Sequence, residues 1–375
     1  MNILQVTPSF HPAYVYGGPI RSVYELCCNL ARAGCQVRVL TTDANGADAV
    51  LDVDTTHESD HDGFCVRYCH RIKDVSISPT LLRLLPEYVR WADVVHLTAV
   101  YSFPIIPTLL ICRVLNKPVV WSPRGMLQRW EGTSRPLLKT IWEQVCRLVA
   151  PRKLILHLTS EAERQESAIR LPGIATTVIP NAIEVPNKIA AVNGHKVLRL
   201  LFIGRLHAKK GIENLLAAYQ QLNGCLSMPV SLTVAGDGDL RYTQNLKARI
   251  EQLAISGQIQ MAGAVLGKDK ENAFMNADVV IVPSFTENFA MVVAEALAYG
   301  IPVIASTGTP WKRLVEMGCG LWVDNRPETL AQAIKEISQM PLQEMGLRGR
   351  EWMRKEFAGN IVAEKMITVY RAIIT

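Results

Sequence analysis

Leu200-Leu201-Phe202-Ile203-Gly204-Arg205-Leu206-His207-Ala208-Lys209-Lys210-Gly211 passes from an unbroken apolar run, through a glycine and a cluster of cations, to a second glycine. Helix-period residues follow from Ile212 to Leu222. An apolar run without alternation reads as a strand buried on both faces, as in a parallel sheet covered by helices. The turn between such a strand and its helix lies at the strand's carboxyl end. Open parallel sheets bind their ligands there.

The same rhythm extends in both directions. Downstream strand candidates are Ser231 to Ala235, Ile259 to Ala262, Val279 to Val282, Pro302 to Ala305 and Leu321 to Val323. Upstream they are Ile3 to Thr7, Val37 to Thr41, Phe64 to Cys69, Asp93 to Thr98, Val119 to Ser122, Leu154 to Thr159 and Thr177 to Ile179, with helices such as Ile20 to Ala33 and Pro136 to Ala150 between. The rhythm lapses after Ile183. The chain therefore reads as α/β, with two Rossmann-like doubly wound parallel-sheet domains: residues 1–185, a linker 186–198 and residues 199–358.

A chain of 375 residues with 49% hydrophobic and 20% charged residues can fill two cores. The start Met1-Asn2-Ile3-Leu4-Gln5-Val6 has no basic flank and reads as a strand, and Pro107 and Arg113 interrupt the apolar run Ile105 to Leu115. Neither a secretion signal nor a membrane span is expected. The nine cysteines form no CxxC pair, which points to a reducing cytoplasm and no structural zinc. Cys65, Cys69 and His70 lack a fourth metal partner. A net charge of +6 is mild for a nucleic-acid binder, and no nucleic-acid partner is expected. It suits anionic substrates or lipid headgroups.

Four strand-end turns carry the chemistry. After the first strand come Gly17 and Gly18, whose backbone N–H groups can approach a phosphate at a helix start, although Pro19 also suits an ordinary glycine turn. Arg205 and Lys210 can neutralise a diphosphate, one as a fork of donors and the other as a point charge. Gly236, in Val234-Ala235-Gly236-Asp237-Gly238-Asp239, opens a third turn that either approaches a ligand or merely reverses the chain. The fourth runs Ser284-Phe285-Thr286-Glu287-Asn288-Phe289-Ala290-Met291-Val292-Val293-Ala294-Glu295. Glu295 lies about two turns into an otherwise apolar helix, where a buried carboxylate needs sugar hydroxyls or a basic neighbour.

Together with Val6-Thr7-Pro8, Val178-Ile179-Pro180-Asn181 and Gly300-Ile301-Pro302-Val303-Ile304-Ala305, these stretches resemble glycosyltransferase family 4 along nearly the whole chain, most specifically in the Glu-x7-Glu spacing of Glu287 and Glu295. The resemblance implies a GT-B fold, its domains facing across a cleft, with a helix 359–375 that returns to the first domain. It also implies a retaining hexosyltransferase that takes a UDP- or GDP-linked sugar to a growing glycan or lipid-linked acceptor, as in surface-polysaccharide biosynthesis. Neither a cofactor nor a divalent metal is implied. By the same similarity Arg205 and Lys210 hold the donor diphosphate. Glu287 and the backbone of Asn288, Phe289, Ala290 and Met291 hold the transferred sugar, Glu295 the ribose, and the backbone near Val265 and Leu266 the base. Glu287, Arg205 and Lys210 are thus the expected catalytic set.

Two departures bear on this. Many relatives have His-x-His where this chain has His96-Leu97-Thr98, so Thr98 takes the place of a sugar-facing histidine and His96 reads as acceptor-side or as a satisfied core residue. Relatives often have glycine at Ala290. The missing histidine leaves a silent sugar-nucleotide-binding protein as an alternative, and a sugar-nucleotide epimerase of the same fold is another. Arg124, after the strand ending at Ser122, is the further acceptor-side candidate.

From Arg124 to Lys153, Arg129, Arg135, Lys139, Arg147, Arg152 and Lys153 outnumber Glu131 and Glu143, with Trp121, Trp130 and Trp142 among them. Leu138, Ile141, Trp142, Val145 and Val149 recur at helical spacing. Either they are the core face of an ordinary helix with a solvated basic back, or the stretch is a basic, aromatic surface resting on anionic membrane.

Overall fold

In the computed structural model, residues 1–72, 77–128, 135–190, 197–222, 228–253 and 258–375 are described. The chain forms β1 (Asn2–Val6), α1 (Gly18–Arg32), β2 (Gln36–Thr42), β3 (Ser59–His61), β4 (Phe64–Cys69), α2 (Pro79–Trp91), β5 (Val94–Thr98), α3 (Ile105–Val114), β6 (Val119–Ser122), α4 (Pro136–Val149), β7 (Leu154–Leu158), α5 (Glu161–Arg170) and β8 (Ala175–Val178). It continues with β9 (Leu198–Ile203), α6 (Ile212–Gln221), β10 (Val230–Ala235), α7 (Leu240–Glu251), β11 (Ile259–Gly263), α8 (Gly267–Met275), β12 (Val279–Val282), α9 (Met291–Ala298), β13 (Val303–Ser306), α10 (Arg313–Glu316), β14 (Gly320–Val323), α11 (Pro327–Ile337), α12 (Leu342–Glu356) and α13 (Gly359–Ile374).

Two compact units result, residues 1–182 with 359–375, and residues 183–358. The first holds a sheet in the order β3-β4-β2-β1-β5-β6-β7-β8, parallel except for the β3–β4 pair. Ile3 and Leu4 point to opposite faces of β1 and both are buried. Ile3 packs with Val23 and Leu26 of α1 and with Met366 and Tyr370 of α13. Leu4 packs with Leu85 of α2, Leu109 of α3 and Cys146 of α4. Helices on both faces explain why the strand sequences do not alternate.

The second unit repeats the design with the order β11-β10-β9-β12-β13-β14, all parallel. Leu200 and Phe202 face α6 and α11, whereas Leu201 and Ile203 face α9 and α12.

The structure differs from the sequence reading in three places. The hairpin strand β3 was not expected, because Ser59-Asp60-His61 is polar. Its turn is Asp62-Gly63, both at positive φ, the two-residue loop that favours Asp-Gly. The second unit begins at Ile183 rather than after a free linker: Ile183 N–H donates to Phe357 O and Ala190 N–H to Tyr299 O. Arg350 also donates to the carbonyl of Pro186, while Gly194, His195 and Lys196 lie outside the described residues.

The third difference is in α4, where the expected apolar stripe is split. Glu143 and Cys146 face inward, and Trp142 donates its indole N–H to Val100 O, whereas Leu138 and Ile141 are exposed. Trp121 is fully buried, with its indole N–H on Ala99 O. Trp121 thus offers no aromatic surface and Trp142 is partly buried; Arg129, Trp130 and Glu131 lie outside the described residues.

Candidate functional site

Within the second unit, contacts without side chains bring the turns after β9, β10 and β12 together. Gly204 N–H donates to Ala235 O, and Leu206 N–H to Asp237 O at 2.6 Å. A Cβ on Gly236, whose φ is +146°, would fall 1.8 Å from Gly204 O, and one on Gly238 2.0 Å from Leu206 O. These glycines therefore let two turns run side by side. Gly236 N–H is spent on Gly263 O, so Gly236 shapes the turn and does not offer a donor to a phosphate.

Gly211 does the same on the other side. At φ +66° it caps the short 3-10 turn Ala208–Lys210 and starts α6, and a Cβ there would fall 2.0 Å from Pro283 O. Phe285 N–H donates to Lys209 O, completing the junction. Lys210 Nζ thereby reaches Glu287 Oε1, which also accepts from Ser284 Oγ at 2.7 Å. Glu287 N–H is fixed on Gly308 O, where a Cβ on Gly308 would strike Phe285 O at 2.3 Å. Burial lowers the pKa of Lys209, with Glu287 opposing and Lys210 reinforcing the shift. Arg205 lies exposed at the end of β9, next to this junction.

Past Glu287 the chain turns into α9. Phe289 is buried edge-on to Trp311 and its carbonyl accepts the Trp311 indole N–H, so only its backbone belongs to the site. Ala290 is held at φ +59°, and no side chain caps the helix that starts at Met291. Its first N–H groups make a positive pole beside Glu287 and Lys210. Glu295 accepts from Lys270 Nζ of α8 at 2.8 Å. Lys270 is the basic neighbour that one reading of Glu295 required. Val265 is partly buried, and Leu266 is exposed at the start of α8.

The structure thus joins Lys210, Glu287 and the start of α9. Reasoning from sequence missed Ser284, Gly308 and Lys270. Ser284 stands three residues before Glu287, but nothing local marks Gly308 or Lys270. Asp237-Gly238-Asp239 is an Asp-x-Asp spacing at a strand end; Asp239 is used as the cap of α7, accepting from Tyr242 N–H at 3.0 Å.

In the first unit Gly17 sits at φ +80° and Gly18 opens α1, exposed. The acceptor-side expectations fare differently. His96 is fully buried, with Nδ1 on Tyr370 OH and Nε2 on Ser122 Oγ at 2.7 Å. Ser122 in turn meets His157 Nδ1, whose other nitrogen meets Ile179 O at 2.9 Å. Burial holds both imidazoles well below their usual range, His157 down to about 3. His96 is a satisfied core residue. Thr98 accepts from Gln5 Nε2 at 2.9 Å and is buried. Arg124 is also buried, donating to Asn181 Oδ1, and Gly125 N–H beside it is held by Glu163. Both are interior groups rather than surface contacts. His70 pairs with Asp43 at 2.7 Å, with no metal set around it among the described residues.

Residues 16–185 match the family described as Glycosyltransferase Family 4, and residues 187–352 the one described as Glycosyl transferases group 1. Over 181 residues the chain is 28% identical to an uncharacterized glycosyltransferase of Methanocaldococcus jannaschii, covering 46% of this chain and 44% of that protein. Over 187 residues it is 25% identical to the putative colanic acid biosynthesis glycosyltransferase WcaL of Escherichia coli, covering 47% and 45%. The chain thus spans under half the length of these curated relatives. Among solved structures, Anabaena HepE in complex with UDP-glucose superposes with a TM-score of 0.75 at 18% identity, covering 99% of this chain and 100% of that one. That likeness shows the fold, GT-B.

Proposed function

Since the chain belongs to glycosyltransferase family 4, we propose that it is a retaining hexosyltransferase of polysaccharide biosynthesis that moves a sugar from a UDP- or GDP-linked donor to a growing glycan or lipid-linked acceptor. The observation that carries this reading is the Lys210–Glu287–Ser284 cluster beside the uncapped start of α9. A cation, a helix pole and a carboxylate side by side suit a sugar diphosphate, whose charge and hydroxyls need these groups. The UDP-glucose complex of HepE and the name of WcaL support the donor class and the pathway class.

In this reading Arg205 and Lys210 stabilise the diphosphate as the anomeric carbon–oxygen bond breaks. The acceptor oxygen attacks from the same face, and its proton passes to the departing phosphate oxygen. Glu287 orients the sugar hydroxyls and forms no covalent bond. Glu295 shares its carboxylate between Lys270 and the ribose, and the backbone near Val265 and Leu266 meets the base. No divalent metal takes part, and the enzyme works at the cytoplasmic face of an anionic membrane. Among the described residues no helix is long and apolar enough to cross one.

The test is turnover of a panel of labelled sugar nucleotides with lipid extract, in excess EDTA, reading the product by mass spectrometry and its anomeric configuration by NMR. Sugar transfer with retention is expected. Inversion, or activity restored only by manganese, would overturn the mechanism, and conversion of the donor without an acceptor would point to an epimerase.

A further inference from the structure

Helix α4 turns the wrong face to water. Leu137, Ile141, Gln144 and Leu148 fall on one line along it, opposite the buried Cys146. Leu137 is 79% exposed, Ile141 60% and Leu148 74%, with Leu138 at 59% beside them. A solvated domain helix puts polar groups at this pole. On the adjacent helix α3, Val114 is 75% and Leu110 46% exposed, and Arg113 ties the ends of the two helices by donating to Leu148 O.

The exposed charge from α3 to the end of α4 has one sign among the described residues. Arg113, Arg147, Arg152 and Lys153 are exposed, while Glu143, the acidic residue among the described residues from Ile105 to Lys153, is buried against Tyr101 OH. A two-fold contact between copies through this face would set Arg147 and Arg152 against their own images. An anionic lipid surface has no such conflict, since it offers phosphates to the cations and acyl chains to the stripe.

We infer that α4, with the end of α3, is the element that docks this protein on an anionic lipid bilayer. Leu137, Ile141 and Leu148 enter the acyl boundary, and Arg113, Arg147 and Arg152 contact the headgroups. This rests on the reading that the enzyme works at a membrane, and it specifies the surface. Each cation removed should weaken attachment about fivefold, and each apolar residue made polar roughly tenfold.

The experiment is vesicle sedimentation without donor or acceptor, comparing phosphatidylglycerol-containing vesicles with pure phosphatidylcholine. Wild type should pellet with the anionic vesicles only, and less at high salt. Leu137→Ser/Ile141→Ser/Leu148→Ser and Arg147→Glu/Arg152→Glu should both stay in the supernatant while keeping the wild-type melting temperature. Should the triple variant lose its fold, Ile141→Ser alone still reads out the roughly tenfold loss. Pelleting of the serine variants as well as wild type would overturn the proposal. So would equal binding to neutral vesicles, or a wild-type dimer that the serine variants dissolve. Transfer to a lipid-free acceptor reads the activity separately, so failure of the docking surface and failure of the enzymatic assignment are told apart.

Discussion

Replacing Lys210 with alanine tests whether the cation is there for the fold or for the donor. Its ammonium is held by Glu287 Oε1, an oxygen that keeps Ser284 Oγ at 2.7 Å when the lysine is gone. The lysine side chain is 28% exposed and the carboxylate 15%. Solvent reaches the pair, so its loss should cost only about 1 kcal/mol, lowering the melting temperature by about 2–4 °C. Donor binding should suffer more. A hydrogen bond from an ammonium to a diphosphate contributes about 1.5–3 kcal/mol. Because Lys210 must loosen its hold on Glu287 to make that bond, the lower end applies, a roughly tenfold weaker Kd. Calorimetry with free nucleoside diphosphate measures this directly. Glu287→Gln sharpens the test: it removes the competing carboxylate, so diphosphate binding should tighten while turnover falls about 100-fold as the sugar loses its guide. Unchanged diphosphate affinity in Lys210→Ala would refute the assignment. Weaker diphosphate binding in Glu287→Gln would refute the competition between carboxylate and ligand.

Glu295→Gln leaves Lys270 an acceptor, so the fold should hold, while affinity should fall about tenfold for every diphosphate carrying a ribose; undiminished affinity in calorimetry would remove Glu295 from the nucleoside site. Gly236→Ala puts a Cβ 1.8 Å from Gly204 O and should cost about 3 kcal/mol in a denaturant titration, with diphosphate binding lost as Arg205 shifts. A variant as stable as wild type would mean that the two turns do not need each other. At Ala290, with φ +59°, substitution by glycine relieves about 1 kcal/mol of left-handed strain but adds unfolded-state entropy of similar size, so stability should barely move. Ala290→Val should lower the denaturant midpoint clearly, and a neutral valine would contradict the strained geometry.

What the sequence revealed and what it hid follow from how far each feature depends on distant residues. Leu200 to Ile203 is apolar throughout because both faces of its sheet are covered, and that can be read locally. Lys210 and Glu287 were also legible, since each follows a recognisable strand. Gly308 and Lys270 were not: their value comes from contacts with Phe285 and Glu295, which no spacing announces. Gly236 stayed open between two readings, because a glycine that approaches a ligand and one that approaches Gly204 O look the same in sequence. His96 shows the same limit. Its place two residues before Thr98 left both readings open, and only the packing of Tyr370, from the far end of the chain, shows that its ring is closed off. On α4 helical periodicity gathered Leu138 with Trp142, although one is exposed and the other faces inward. Periodicity locates an apolar stripe without saying what covers it.

The pairing of Lys210 with Glu287 has a consequence for ligands under the proposed function. Lys210 and Glu287 already neutralise each other, so the Lys210 charge does not await the donor bare. A free nucleoside diphosphate can draw the ammonium away only by leaving the carboxylate with Ser284 and the nearby Lys209. An intact sugar nucleotide takes the ammonium with its phosphates and offers Glu287 hydroxyls in return, so both groups end up satisfied. The pair therefore favours substrate over the diphosphate product by the difference between a carboxylate that is repartnered and one that is abandoned. A rigidly uncompensated cation would lack this preference. It would grip the product as firmly as the donor, and release would limit every turnover.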